Sequence, residues 1–451
     1  MKLRSMEEKI SYRLFLMGFF GLLFTAALCI FVFHKAFTAQ AWTGLEREAE
    51  LVSAGYDLVQ DPQQLTSFVS NDLRITLISQ DGSVLFESAT DQPMENHLSR
   101  PEIRQAITDR VDRRILGYTL VYDKGYYEAL RAWCESRYGW SFPKEQLTFS
   151  PGVIPALYQL TEDLVKPLNG KVLTMTPAYG FFLHACEYNG VELVTSPLRE
   201  ENGRFSVDWE DLETKAADPD VKLLMLCNPH NPTGRIWTEE ELRHMAAIIE
   251  KHRLWVVSDE IHCDLIRAGL HHTPMGKVMP DYDRLITCMS ASKTFNLAGL
   301  MHSNIIIRDA EERARFQDRD KNIGAVNPLS IAAHKAAYEH GGPWLEQLKA
   351  YVDGNLALVD QFLKENIPGA KFTIPESTYF AWVDLREVLP EVEDLPDFFA
   401  NKAGVLLEGG DGLFVGNARG HIRLNLAMPR ATVQTGLERI AEAIRKEKAG
   451  A

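Results

Sequence analysis

Lys293 is the residue of this 451-residue chain around which chemistry can be built. It stands in Leu285-Ile-Thr-Cys-Met-Ser-Ala-Ser-Lys-Thr-Phe-Asn-Leu-Ala-Gly299, where an apolar run of β-type residues ends at Ser290, Ser292 and Lys293. That pattern predicts a buried strand delivering a lysine into a tight loop. A loop lysine is ordinarily solvated, and its free pKa of about 10.4 makes it a poor nucleophile. Two upstream stretches change the reading. Cys227-Asn-Pro-His-Asn-Pro-Thr-Gly234 and Val256-Val-Ser-Asp-Glu-Ile-His262 each follow an apolar, strand-like run. Singly, the first is a turn and the second an acidic helix start. Together they bring Asn231, Asp259 and Lys293, in that order, to the carboxyl ends of successive strands, where open α/β sheets place their ligands. An amide, a carboxylate and an amine on one sheet edge suit covalent and acid–base chemistry on a small molecule.

The elements that must position these side chains alternate between strand and helix from about Gln146 to Asp309. Thr238-Glu-Glu-Glu241 is a capping box opening a helix to His252, and Leu254 to Val257 is the next strand, the βαβ rhythm of a mainly parallel sheet. Ahead of this lies an amphipathic helix near Lys124 to Tyr138. After Ala325 helices dominate. Trp344 to Asn366 reads as a long helix, and Phe372 to Leu385, Gly404 to Leu407 and His421 to Asn425 as strands of a smaller α+β domain closed by a helix from Glu438 to Lys448.

Composition narrows the function classes. With 45% hydrophobic and 24% charged residues the chain is an ordinary globular protein of two or three domains. A net charge of −14, offset by no long basic run, argues against a nucleic-acid surface and for a small-molecule partner. The six cysteines show no metal spacing and mostly sit in apolar runs, as buried free thiols of a reducing compartment do.

The N-terminal part differs in character. Leu14 to Phe33, about twenty residues without a charge, is long enough to cross a hydrocarbon core of about 30 Å. Lys2, Arg4, Lys9 and Arg13 precede it, so the positive-inside rule places the N-terminus in the cytoplasm. Ala39-Gln-Ala41 keeps a cleaved signal peptide open as a rival. Glu46 to Val59 reads as a helix, and Arg74 to Phe86 as two strands joined through an Asp-Gly turn.

The three stretches that carry Asn231, Asp259 and Lys293 closely resemble fold-type I pyridoxal-phosphate enzymes of the aspartate aminotransferase superfamily. Ser-Asp-Glu-Ile-His, Ser-Lys-Thr-Phe-Asn-Leu-Ala-Gly and Ile422-Arg-Leu-Asn-Leu-Ala-Met-Pro-Arg430 are similar to its cystathionine β-lyase (MalY/PatB) branch. The resemblance runs from about Pro101 to the C-terminus, with a family helix at Glu102 to Arg113. It implies an α/β fold: a large domain with a mainly parallel, seven-stranded-type sheet at 101–325, and a smaller α+β C-terminal domain at 326–451. Family members carry an N-terminal arm and an opening segment of the small domain before this; here a different leader occupies that position. It divides into a cytoplasmic flank and transmembrane helix at 1–35 and a short α/β segment at 36–100. The latter resembles the membrane-anchored sensor region of a bacterial histidine kinase in its anchor, its Arg-Ile-Thr-Leu-Ile hairpin and Met94 to Glu102. The expected architecture is thus a fusion.

The enzyme resemblance also implies roles. Lys293 would carry pyridoxal 5′-phosphate covalently and later take the substrate Cα proton, and Asp259 would keep the ring nitrogen protonated. Asn231 would donate to the ring oxygen O3′. His262, where aminotransferases usually carry a tyrosine, either contacts O3′ or packs. The amides of Val153 and Ile154 at a helix start, with the hydroxyls of Ser290 and Ser292, would hold the phosphate. Met301 stands where many aminotransferases add an arginine. Tyr118 resembles the tyrosine that reaches the neighbouring subunit's phosphate, which implies a homodimer. Tyr179 would stack on the ring, Phe181 and Phe182 being core, and Arg423 would clamp the substrate α-carboxylate. Arg430 is expected to be structural. The implied activity is carbon–sulfur β-elimination on cystathionine or another cysteine S-conjugate, a small sulfur amino acid. An aminotransferase with the same site is the nearest rival; a membrane-anchored regulatory protein with an inactive enzyme-like domain is another. One membrane span with the N-terminus inside would put a cytoplasmic type of enzyme on the far side of the membrane, a conflict in the sequence itself.

Overall fold

A computed structural model describes two short strands, Thr76–Ile78 and Val84–Glu87, and residues 125–450 apart from 202 and 324–326. The chain divides into two compact units, Met1–Asp112 and Arg113–Ala451. In the first, the two strands pair antiparallel with Thr76 opposite Glu87 and Leu77 opposite Phe86, the hairpin expected around the Asp-Gly turn. The predicted membrane span at residues 14–33, the helices expected at 46–59 and 102–113, and Tyr118 lie outside the described residues. Among the described residues no helix is long and apolar enough to cross a membrane.

In the second unit a seven-stranded sheet runs in the order Leu147–Ser150, Ser303–Ile307, Leu285–Met289, Trp255–Asp259, Val221–Cys227, Lys171–Thr176, Glu192–Pro197. The central strands pair in parallel, and Ser303–Ile307 runs antiparallel to both its neighbours. Near-continuous apolar strands are what a sheet covered on both faces requires. Successive side chains go to opposite faces. Val256, Leu224 and Leu226 pack with Leu212, Met245 and Ile249 of the helices Trp209–Ala216 and Glu239–His252. Val257, Leu223 and Met225 pack with Leu157 and Phe182 of the helices Val153–Leu164 and Phe181–Asn189. Phe182 is fully buried, as expected, whereas Phe181 is half-buried.

The capping box forms as read. Thr238 Oγ1 accepts the Glu241 N–H at 3.1 Å, and Glu241 Oε2 accepts the Thr238 N–H at 2.8 Å. Thr238→Ala should therefore lower unfolding free energy by about 1 kcal/mol in urea titration, with activity unchanged.

The small domain has a three-stranded antiparallel sheet ordered Phe380–Asp384, His421–Asn425, Glu408–Gly409. It packs on the helices Gly342–Asn366, Leu395–Ala403 and Arg430–Gly450. Three sequence expectations are corrected. The strand expected from Phe372 begins only at Phe380, because the chain before it crosses to the large domain: Ser377 N–H donates to the Gly234 carbonyl and Thr378 N–H to the Leu265 carbonyl. Gly404–Leu407 is a loop, since Gly404 caps the preceding helix with a left-handed φ of 61° and pairing starts at Glu408. The closing helix starts at Arg430, eight residues before Glu438. The helix Pro328–His340 packs against Tyr126–Tyr138 through Ile331, Tyr338 and Trp133.

Candidate active site

Sheet register builds the site. Asp259 is the last residue of its strand, paired with Cys227 on one side and Cys288 on the other. The chain leaves the strand Leu285–Met289 through Ser290, whose Oγ accepts the Ser292 N–H at 3.0 Å and starts the single turn Ala291–Thr294 that carries Lys293. Asp259 is buried, its Oδ1 accepting the Ile261 N–H at 3.2 Å; Oδ2 has no hydrogen-bond partner among the described residues. Burial pushes the carboxyl up to about 7, and the Lys293 ammonium works in the opposite direction. The lysine turn thus lies close enough to the end of the neighbouring strand for its charge to act on the Asp259 carboxyl.

Arg423 enters from the small-domain strand His421–Asn425. Its guanidinium lies 3.9 Å above the Phe380 ring, and its Nη1 donates to Asn231 Oδ1 at 2.7 Å. That bond occupies the amide oxygen of Asn231 and leaves its Nδ2 hydrogens as donors. Arg423 Nε also donates to Glu408 Oε2 at 2.8 Å, and Nη2 donates to the same oxygen. His262 is buried edge-on against Tyr379 and Phe380, its Nδ1 without a partner among the described residues. Burial, with the charges of Lys293 and Arg423, pushes it down to about 3, so it is neutral. Tyr179 pairs in register with Phe414, and its hydroxyl is pushed up to about 12 by burial, with Arg423 opposing and Asp259 adding. Lys293, Asp259, Asn231, His262, Tyr179 and Arg423 therefore share one electrostatic neighbourhood.

The residues assigned to a phosphate are placed less directly. Val153 and Ile154 are the first two residues of the helix Val153–Leu164, where backbone N–H groups lack intrahelical acceptors. The strand that leads to them, Leu147–Ser150, is separated from Leu285–Met289 by one strand. Ser292 is buried and its Oγ has no hydrogen bond among the described residues. Ser290 is different: its hydroxyl donates to the His302 carbonyl at 2.7 Å while its oxygen accepts the Ser292 N–H, so its proton is committed to His302 and its oxygen to the turn. Arg430 is structural as expected, with Nε donating to Asn355 Oδ1 at 3.0 Å. The five described cysteines, Cys134, Cys186, Cys227, Cys263 and Cys288, are all buried and unbridged; Cys29 lies outside.

Sequence reading missed the layer beneath. Glu260, fully buried, accepts from Ser258 Oγ at 2.8 Å, His272 Nε2 at 2.8 Å and the Met275 N–H at 2.9 Å. Asp264 accepts from Trp133 Nε1 and Thr294 Oγ1, both at 2.9 Å, and from the Tyr138 hydroxyl. Because Thr294 follows Lys293, Asp264 fixes the turn that presents the lysine. Glu260 read only as part of an acidic helix start, and Asp264 lies beyond that stretch, its partners distant in sequence.

These groups fit the cofactor that the sequence resemblance implies. A buried carboxylate, an amide donor and a buried neutral imidazole lie in the charge neighbourhood of Lys293 and Arg423, and the imidazole Nδ1, without a partner among the described residues, is an atom a polar ring would satisfy.

A family model described as aminotransferase class I and II matches residues 89–440. The match begins ahead of Pro101, so residues 89–100, read above as the end of the sensor-like segment, fall within the enzyme match. Cystathionine beta-lyase PatB of Bacillus subtilis (strain 168) is 39% identical over 345 residues, 76% of this chain and 88% of PatB. Protein MalY of Escherichia coli (strain K12) is 30% identical over 348 residues, with the same shares. The pyridoxal-phosphate-bound C–S lyase of Staphylococcus hominis superposes with a TM-score of 0.72 at 43% identity, over 77% of this chain and 88% of that one. Cystalysin of Treponema denticola, which contains pyridoxal 5′-phosphate, gives 0.71 at 31% identity over 84% and 92%. The family match spans the sheet, the lysine turn and the small domain as far as residue 440, and the chain belongs to the aminotransferase class I and II family.

Proposed function

We propose that this chain is a pyridoxal-phosphate-dependent carbon–sulfur β-lyase that converts L-cystathionine or another cysteine S-conjugate, with water, to a thiol, pyruvate and ammonia. The observation that carries the reading is the placement of Arg423 on Asn231, in one charge neighbourhood with Lys293 and Asp259. The names of PatB and of the Staphylococcus hominis lyase support elimination over transamination.

When bound, the cofactor supplies an electron sink for the carbon that loses its proton. The chain's own residues do the rest. Arg423 takes the α-carboxylate and so fixes which bond on Cα faces Lys293. The Lys293 amine removes the Cα proton, and the electron pair left behind expels the thiolate from Cβ. Asp259 would hold a facing ring nitrogen protonated and Asn231 Nδ2 would donate at the ring oxygen, while neutral His262 would either donate there too or pack beside it. Val153, Ile154 and Ser292 are the residues proposed for the phosphate, and Tyr179 for the ring face.

Two finer readings rest on the sequence. Tyr118 supports a homodimer in which each subunit completes the other's phosphate site, and the apolar run at residues 14–33 supports a single membrane anchor ahead of the enzyme.

Incubation of the purified, cofactor-loaded chain with L-cystathionine should release thiol and pyruvate in equal amounts without added 2-oxo acid. Product formation that requires a 2-oxo acid acceptor, with the amino group transferred to it, would replace the lyase by an aminotransferase.

A further inference from the structure

Arg423 is only 6% exposed, whereas the Glu408 side chain that neutralises it is 49% exposed. The contact uses one carboxylate oxygen: Oε2 accepts from both Nε and Nη2. A guanidinium buried this deeply requires a counter-charge, and a half-exposed glutamate held through one oxygen supplies it at low cost to reverse. The α-carboxylate of an amino-acid substrate would bring the same chemistry to the same cation. Two carboxylates at one guanidinium repel each other, so their joint occupancy is disfavoured.

We propose that Glu408 is the chain's own occupant of the substrate-carboxylate site, released from Arg423 when the substrate binds, so that it sets how tightly α-carboxylates are held. The inference rests on the reading of Arg423 as the carboxylate clamp. Room for release exists. Glu408 and Arg423 line a cavity of about 820 Å³ whose other walls include Leu406, Leu426 and Met428, all of the small domain. Asn231 keeps Arg423 in place from the large-domain side through its 2.7 Å bond, so the guanidinium does not depend on Glu408 for its position. Glu408 is a specificity-determining residue in this scheme and touches no reacting atom.

The test compares wild type with Glu408→Gln and Glu408→Ala, all cofactor-loaded. The KM for L-cystathionine should fall roughly two- to fivefold in both variants, the range of a partly exposed ion pair, with kcat unchanged. The inhibition constant of propionate, a carboxylate with no amine, should fall in parallel, and that of a simple alkylamine should not move. A KM that rises in both variants would overturn the proposal and make Glu408 a clamp that orients Arg423; an unchanged KM would overturn it too. Should wild type release no thiol at all, the lyase reading fails. The propionate arm, followed by its protection of the chain against thermal unfolding, then still decides whether Glu408 competes for Arg423.

Discussion

Lys293→Ala should lower thiol release from L-cystathionine by about 10⁴-fold, the upper range for loss of a positioned proton-transfer group. The residue stands on a turn held from both ends, by Ser290 accepting the Ser292 N–H and by Thr294 donating to buried Asp264. The substitution therefore removes the amine without moving the loop. Unfolding by denaturant should be nearly unchanged, because the lysine is only half-buried and its amine bonds to none of the described groups. An added primary amine should restore part of the rate, as it replaces the missing base. A variant with more than about a tenth of wild-type turnover would remove Lys293 from the chemistry.

Asp259→Asn should lower kcat by about 10³-fold, since a neutral amide cannot hold a proton on a facing ring nitrogen. The same variant makes a signed prediction on stability. Burial raises the folded-state pKa of Asp259 from 3.8 to about 7, so between those values the folded chain holds a proton that the unfolded chain has lost. The contribution of Asp259 to the stability of the cofactor-free protein then falls as pH rises from about 4 to 7, by on the order of 4 kcal/mol. Asp259→Asn removes that slope and should be the more stable of the two at pH 7 without cofactor. Buried His262, His230, His302, His334 and His421, whose pKa values burial lowers, contribute the opposite slope, their stability being lost as pH falls below the ordinary histidine value; the pairwise comparison at each pH cancels them. Cofactor brings a cation to the carboxylate and relieves the penalty, so loading should stabilise wild type more than the variant. Denaturant unfolding at several pH values, with and without cofactor, checks all three statements.

What could be read from sequence divides along a physical line. The sheet and the order of Asn231, Asp259 and Lys293 were legible because parallel strands are continuous apolar runs and their carboxyl ends carry punctuation that single residues reveal. Thr238 was legible because a capping box is local. The second layer was not. Glu260 and Asp264 are charged residues whose burial depends on His272, Trp133 and Thr294, partners 12, 131 and 30 residues away. No local pattern encodes such pairs. The strand expected from Phe372 failed for the same reason, as its backbone bonds go to Gly234 and Leu265 in the other domain. Ser290 looked like a phosphate ligand by type, and only the distance to the His302 carbonyl shows its proton committed elsewhere.

The proposed chemistry requires a covalent cofactor at one lysine. Borohydride reduction of the pyridoxal-phosphate-loaded chain, followed by proteolysis and mass spectrometry, should find the cofactor's added mass on the peptide that contains Lys293, stoichiometrically and with loss of the visible absorbance band. Modification spread over surface lysines, or none at Lys293 while the band persists, would contradict it.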